Sequence, residues 1–319
     1  MLRSLLIYLS KSIWARRIVT RWNFAWRAAS RFVAGETLDD AINAIKNLNS
    51  KGINATLDHL GEHTYDLSDS EKATNEIIQI LQRVHREGIC TNISIKLSQI
   101  GLILGDDLCR KNLKRILDTA QVTGNFVRID MEDAPWVDST INLFREMRLL
   151  DFQCLGLVIQ AYLYRSDKDV SDLIEIGAKI RLCKGAYKEP DSVAYPKKRD
   201  VDTNFDNLAR ILMNKAKSSE THLLSKNCRI PPLSALATHD EARIDKAIDY
   251  AKKIDLPQNA LEFQMLYGIR RDLQEKLVEK GFPVRVYVPY GTEWYPYFTR
   301  RLAERPANLW FFISNYFKK

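Results

Sequence analysis

The hydrophobic pattern of the chain changes period again and again. From residue 53 onward, short apolar, β-branched runs occur at Asn54–Leu60, Thr91–Leu97, Phe126–Met131, Leu155–Tyr162, Lys179–Cys183, Ala235–Thr238, Leu261–Leu266 and Val284–Val288. Each is followed by a longer stretch with apolar residues at helical spacing: Ser70–Glu87, Asp107–Val122, Trp136–Leu150, Asp167–Ile176, Val201–Ser218, Glu241–Ile254, Arg270–Lys280 and Trp294–Glu304. Gly88, Gly124, Gly177 and Gly281 each close a periodic stretch, as helix stops do. Several short runs, such as Gly156-Leu157-Val158-Ile159, are apolar on both faces, which predicts a parallel sheet covered by helices. Eight βα units that close on themselves make an α/β fold of the TIM-type (βα)8 class, with a doubly wound open sheet as the alternative. No linker-like stretch follows residue 53, so residues 53–319 read as one barrel domain and residues 1–52 as an N-terminal helical arm. Within that arm, residues 1–34 read as helix through Leu5, Leu6, Leu9, Ile13, Trp14, Ile18 and Trp22, and Leu38–Leu48 as a second helix capped by Thr37.

Composition bounds the class. The 319 residues are 45% hydrophobic and 28% charged, enough to bury a full core, which excludes a disordered, collagenous or disulfide-framework chain. The longest stretch free of charged residues is Phe152–Tyr164, shorter than the ~18 apolar residues a spanning helix needs. The net charge of +8 is uneven. Residues 1–34 carry Arg3, Lys11, Arg16, Arg17, Arg21, Arg27 and Arg31 without any acid, while the rest is nearly balanced. That argues against a nucleic-acid-binding surface. The Leu5–Leu9 run is too short for a signal-peptide core, and an acid-poor, Arg-rich start also fits a transit peptide. The two main readings of residues 1–34 are a helix packed across the barrel and an interfacial helix on anionic lipid. Five scattered cysteines, none in a CxxC pair, predict reduced thiols in a cytoplasmic protein, with peripheral contact at the inner face of the cell membrane if the second reading holds.

In such barrels the chemistry sits at the C-terminal strand ends. Those ends supply Asp58-His59, Lys96, Asp130, Gln160, Arg181 with Lys184-Gly185-Ala186-Tyr187, Thr238-His239, Leu266, and Tyr287. No GxGxxG, GxxxxGK[ST], HExxH or GxSxG is present. His59 and His63 have no third ligand at convincing spacing, so no metal is expected. The lysines and arginines suit an anionic ligand. Arg300 and Arg301 adjoin on the last helix, and Glu304 follows at pairing distance, which suggests a carboxylate clamp over the rim. A Schiff-base lyase built on Lys96 or Lys184 and a non-catalytic membrane-surface module remain as alternatives.

The ordered set Arg31-Phe32-Val33-Ala34-Gly35-Glu36, Ile95-Lys96-Leu97-Ser98, Arg128-Ile129-Asp130-Met131-Glu132, Val158-Ile159-Gln160-Ala161-Tyr162, Arg181-Leu182-Cys183-Lys184-Gly185-Ala186-Tyr187, Ala237-Thr238-His239, Glu262-Phe263-Gln264-Met265-Leu266, and Tyr287 to Gly291 with Arg300-Arg301-Leu302-x-Glu304 resembles the proline dehydrogenase family in its short bacterial form. The resemblance covers roughly residues 28 to 310. It implies a barrel that holds FAD and oxidises L-proline to Δ1-pyrroline-5-carboxylate, the first step of proline catabolism, with a membrane quinone as electron acceptor. It further implies that Lys96, Arg300 and Arg301 hold the proline carboxylate, balanced by Glu304 and Asp130. Tyr287, Leu266 and Tyr187 would pack the ring, and Asp130 would orient the site through Tyr287. Gln160 and Arg181 would contact the isoalloxazine, Lys184, Gly185 and Ala186 the pyrophosphate, and Thr238 and His239 the ribityl or phosphate region.

Overall fold

The computed structural model of the chain describes residues 23–61, 64–218 and 223–304, with residues 12, 14 and 19. Eight parallel strands form a closed barrel in sequence order: β1 (Asn54–His59), β2 (Thr91–Ile95), β3 (Val127–Ile129), β4 (Leu155–Gln160), β5 (Lys179–Cys183), β6 (Ser234–Ala237), β7 (Leu261–Leu266) and β8 (Val284–Tyr290). β1 pairs with both β2 and β8, with Thr56 opposite Asn92 on one side and Tyr287 on the other, and this double pairing excludes the open sheet. Helices α1 (Asn23–Ala29) and α2 (Leu38–Ser50) precede the barrel. Helices α3 (Leu67–Glu87), α4 (Asp106–Val122), α5 (Val137–Leu149), α6 (Ser166–Glu175), α7 (Lys198–Ala216), α8 (Glu241–Lys253), α9 (Arg271–Glu279) and α10 (Trp294–Glu304) follow the strands one by one.

Local chemistry explains these elements. Thr37 caps α2 by a reciprocal box: its hydroxyl accepts from the Asp40 N–H, and Asp40 accepts from the Thr37 N–H. Asp66 accepts from the Asp69 N–H to start α3, and Gly88 ends it at φ 65°. α3 then buries Ile77, Ile80, Leu81 and Val84, one stripe at helical spacing, against the barrel. Each such side chain contributes roughly 1.5–3 kcal/mol by leaving water.

The barrel interior is unusually polar. Residues two apart on several strands face inward together: Thr56 and Asp58, Asn92 and Ser94, Arg128 and Asp130, Glu262 and Gln264, Arg285 and Tyr287. At the floor, Arg285 donates to Glu262 at 2.9 Å and to the carbonyls of Ala55 and Cys228. Arg128 lies fully buried against the Phe126 ring and donates to the Leu157 and Lys179 carbonyls. Gly156 makes that possible, since a Cβ there would stand 2.7 Å from the Arg128 guanidinium.

The N-terminal arm departs from the sequence expectation in one respect. The helix that reads as running to residue 34 ends at Ala29, and Phe32 and Val33 donate back to the Ala29 carbonyl in a turn. The turn lets Phe32 and Val33 join Ala25, Ala28 and Ala29 in an apolar cluster with Trp294, Phe298 and Leu302 of α10, separate from the barrel core. Trp26 and Trp294 lie 5.4 Å apart, and the Trp294 indole donates to Glu36. Burial of this aromatic surface outweighs another turn of helix. Residues 1–11, and most of 12–22, lie outside the described residues. Among the described residues, no helix is long and apolar enough to cross a membrane.

Candidate active site

The barrel mouth gathers charged side chains from β1, β2, β3 and β5 around the Tyr287 phenol of β8. Lys96 directly follows β2, and its ammonium lies 3.1 Å from Asp58 Oδ1, 3.4 Å from Asp130 Oδ2 and 3.4 Å from the Tyr287 hydroxyl. Asp130 follows β3 and is the hub. Its Oδ1 accepts from Ser94 at 2.6 Å and Arg181 at 2.9 Å, and its Oδ2 accepts from the Tyr287 hydroxyl at 2.7 Å. The Arg181 guanidinium also stacks over the Tyr287 ring at 5.3 Å and donates to Gln264 at 2.6 Å.

Electrostatics fixes the protonation states. Burial works against the Lys96 ammonium, but the carboxylates of Asp58 and Asp130 outweigh it, and its pKa is raised. Burial likewise opposes the Asp130 carboxylate, yet Lys96 and Arg181 hold its pKa below the ordinary value. Burial and the Asp130 charge push the Tyr287 phenol well up, so it stays a donor. The site therefore presents a fixed ammonium, a fixed carboxylate and a neutral phenol.

The remaining expected site residues fall as follows. Gln160, at the end of β4, donates from Nε2 to the Met131 carbonyl, while its buried Oε1 has no hydrogen-bond partner. A buried acceptor without a partner is costly. It fits a ligand N–H such as the isoalloxazine edge offers. Gly185 follows β5 at φ 114°, and a Cβ there would stand 2.2 Å from the Tyr162 ring, so only glycine fits. Lys184 is turned away from any free role: its ammonium sits 2.5 Å from Asp202 and 2.7 Å from Asp240, near the starts of α7 and α8. Ala186 and Tyr187 are exposed, with Tyr187 in electrostatic range of Lys96, Asp130 and Arg300. Thr238 accepts from the Asp240 N–H. The His239 Nε2 accepts from the Leu266 N–H at 2.9 Å, which assigns the ring proton to Nδ1. Leu266 ends β7 beside Tyr287 in register. On α10, Arg300 is exposed and Arg301 lies half-buried over the Tyr297 ring. The side chain of Glu304 lies outside the described residues.

The sequence alone gives Asp58 no role beyond its place at a strand end and does not single out Thr56, Ser94, Glu262 or Gln264. The signal that finds them is the inward polar pair at i and i+2 inside strands otherwise apolar on both faces. Among the described residues no cluster of three metal-ligating side chains exists.

Comparison with known proteins gives a consistent picture. A family model described as proline dehydrogenase matches residues 41–313. Proline dehydrogenase of Deinococcus radiodurans is 41% identical over 298 residues, covering 92% of this chain and 91% of that one. Proline dehydrogenase 2 of Bacillus subtilis is 37% identical over 317 residues, 99% of each chain. Among solved structures, proline utilization A from Bdellovibrio bacteriovorus, inactivated by N-propargylglycine, superposes with a TM-score of 0.78 at 25% identity. The match covers 88% of this chain and 33% of that much longer one.

Proposed function

The chain belongs to the proline dehydrogenase family, and on that premise we propose that its barrel mouth binds FAD and L-proline side by side and yields Δ1-pyrroline-5-carboxylate. The observation that carries this reading is the Lys96–Asp130–Tyr287–Arg181 cluster, in which one cation faces the mouth, a second lies deeper, and a carboxylate locks both. The partnerless Gln160 Oε1 and the glycine-only turn at Gly185 support a flavin lodged above β4 and β5.

The protein's own residues act by holding and excluding. The Lys96 ammonium, with Arg300 and Arg301 from α10, holds the proline carboxylate, with Glu304 as their counterweight. Tyr287 and Leu266 pack one face of the pyrrolidine ring, and Tyr187 packs its edge. Asp130 keeps the Tyr287 phenol and Arg181 guanidinium in fixed orientation, so little reorganises during the reaction. No base stands ready: Lys96 stays protonated and Asp130 stays ionised, so proline binds with its amine already deprotonated. Gln160 would accept from the isoalloxazine edge, and Arg181 would stand near N5. The backbone of Lys184, Gly185 and Ala186 would line the pyrophosphate, while Thr238 and His239 would contact the ribityl or phosphate region. When bound, FAD would supply the two-electron hydride-accepting chemistry, with a membrane quinone as the electron acceptor.

We assign residues 53–319 to this catalytic barrel and residues 1–52 to an arm whose basic residues 1–34 offer peripheral contact at the inner face of the cell membrane. The test is cofactor release from the purified holoenzyme by acid, followed by chromatography, beside steady-state assays with a soluble quinone analogue. FAD in the supernatant and proline-dependent quinone reduction support the reading. FMN, or turnover without flavin, overturns it.

A further inference from the structure

Arg181 is held from two directions. One is Asp130, shared with Lys96 and Tyr287. The other runs down to the barrel floor. Gln264 Oε1 accepts from Arg181 Nε at 2.6 Å, and Gln264 Nε2 donates to Glu262 Oε1 at 2.6 Å. Glu262 Oε1 accepts in turn from Arg285 Nε at 2.9 Å. All four side chains are buried.

The order of charges along this line is selective. A guanidinium needs an acceptor, and a carboxylate needs a donor. The amide between them satisfies both in one orientation only, since a flipped amide sets NH2 against Arg181 and C=O against Glu262. The Glu262 charge therefore fixes the Gln264 amide, and the amide fixes the Arg181 guanidinium plane beside the Tyr287 ring. Arg285 anchors the far end on the Ala55 and Cys228 carbonyls at the barrel floor.

We propose that Gln264 and Glu262 are positioning residues for the redox step: they aim Arg181 from beneath, so that its charge meets the flavin rather than sharing itself wholly with Asp130. The inference rests on Arg181 lying near flavin N5, as argued above. Neither residue touches substrate, so their loss weakens the stabilisation of reduced flavin and leaves proline binding in place.

The experiment compares wild-type holoenzyme with Q264M and R181M in anaerobic potentiometric titration and steady-state proline oxidation. Q264M is expected to lower kcat by about tenfold with KM held within about a factor of two. It is also expected to shift the two-electron flavin potential downward by about 30 mV, which is a tenfold loss for that couple. R181M should do the same or more. If Q264M matches wild type while R181M is impaired, the positioning role is overturned and Arg181 keeps its place. If R181M also leaves the potential unchanged, the placement of Arg181 fails, and this inference with it. Where Q264M does not fold, Q264E and the double variant E262Q/Q264E carry the test. Q264E keeps an acceptor for Arg181 but sets two carboxylates in contact, whereas the double variant keeps that acceptor and places an amide between it and Arg285. Recovery of kcat in the double variant over Q264E alone supports the relay, and no recovery overturns it.

Discussion

Replacing Asp58 by Asn removes one of the two carboxylates that hold Lys96 charged. Asp58 Oδ1 stands 3.1 Å from the ammonium and Asp130 Oδ2 stands 3.4 Å from it. Opposite unit charges at about 3 Å attract by about 5 kcal/mol at an effective dielectric constant of about 20. The Lys96 side chain is 22% exposed, so water takes over part of that interaction. A surviving loss of roughly 2–3 kcal/mol equals about two pKa units. In the wild type, the Lys96 pKa lies above its ordinary 10.5, so its contribution to stability is complete below 10.5 and fades only as pH rises through the folded value. In D58N, burial is opposed chiefly by Asp130, and the Lys96 pKa falls toward its ordinary value. The assay is kcat/KM for proline across pH, taken as the ratio of variant to wild type so that titration of proline's own amine cancels. The ratio should be flat near neutrality and fall about twofold as pH reaches 10.5, where a lysine of ordinary pKa is half deprotonated. Melting at each pH excludes simple unfolding. Parallel profiles would refute the claim that Asp58 sustains the Lys96 charge.

Three further outcomes follow from the same geometry. Arg300→Ala should raise the apparent proline KM by about tenfold, the loss expected for one charge-assisted hydrogen bond, whereas an unchanged KM means the carboxylate lies elsewhere. Gly185→Ala drives a Cβ into the Tyr162 ring at a left-handed φ, costing roughly 1–3 kcal/mol in strain. Purified G185A should therefore carry less flavin per chain by absorbance than wild type. With Tyr287 packed on the pyrrolidine ring as proposed, proline should be preferred to hydroxyproline, and Tyr287→Ser should narrow that preference in competitive assays. Equal catalytic efficiencies for the two substrates in the wild type contradict the packing role.

Legibility varied with the range of the determining interactions. The eight βα units were readable because periodicity and glycine stops act locally, and Lys179–Cys183, Leu261–Leu266 and Trp294–Glu304 match residue for residue. The clustering of Lys96, Asp130, Arg181 and Tyr287 followed from their places at strand ends, since closure must bring those ends together. Asp58 was harder: its meaning depends on a lysine that barrel register places beside it. Glu262 and Gln264 were marked only by their i, i+2 spacing, and a strand covered on both faces does not say which way such a pair points. The ion pairs of Lys184 were out of reach for a related reason, since nothing local to it shows Asp202 and Asp240 converging on its ammonium. The arm was overextended because its apolar spacing suits a longer helix, while the pull of Phe32 and Val33 towards Trp294 and Phe298 is tertiary.

The central claim is that the Lys96–Asp130–Tyr287–Arg181 mouth brings L-proline to a bound FAD. The most direct measurement is the visible spectrum of the purified holoenzyme under anaerobic conditions, before and after stoichiometric L-proline, for wild type and Lys96→Met. The account predicts an oxidised-flavin spectrum that bleaches rapidly on proline in the wild type and far more slowly in K96M at the same concentration. Flavin that proline does not bleach, or equal bleaching in the two proteins, contradicts it.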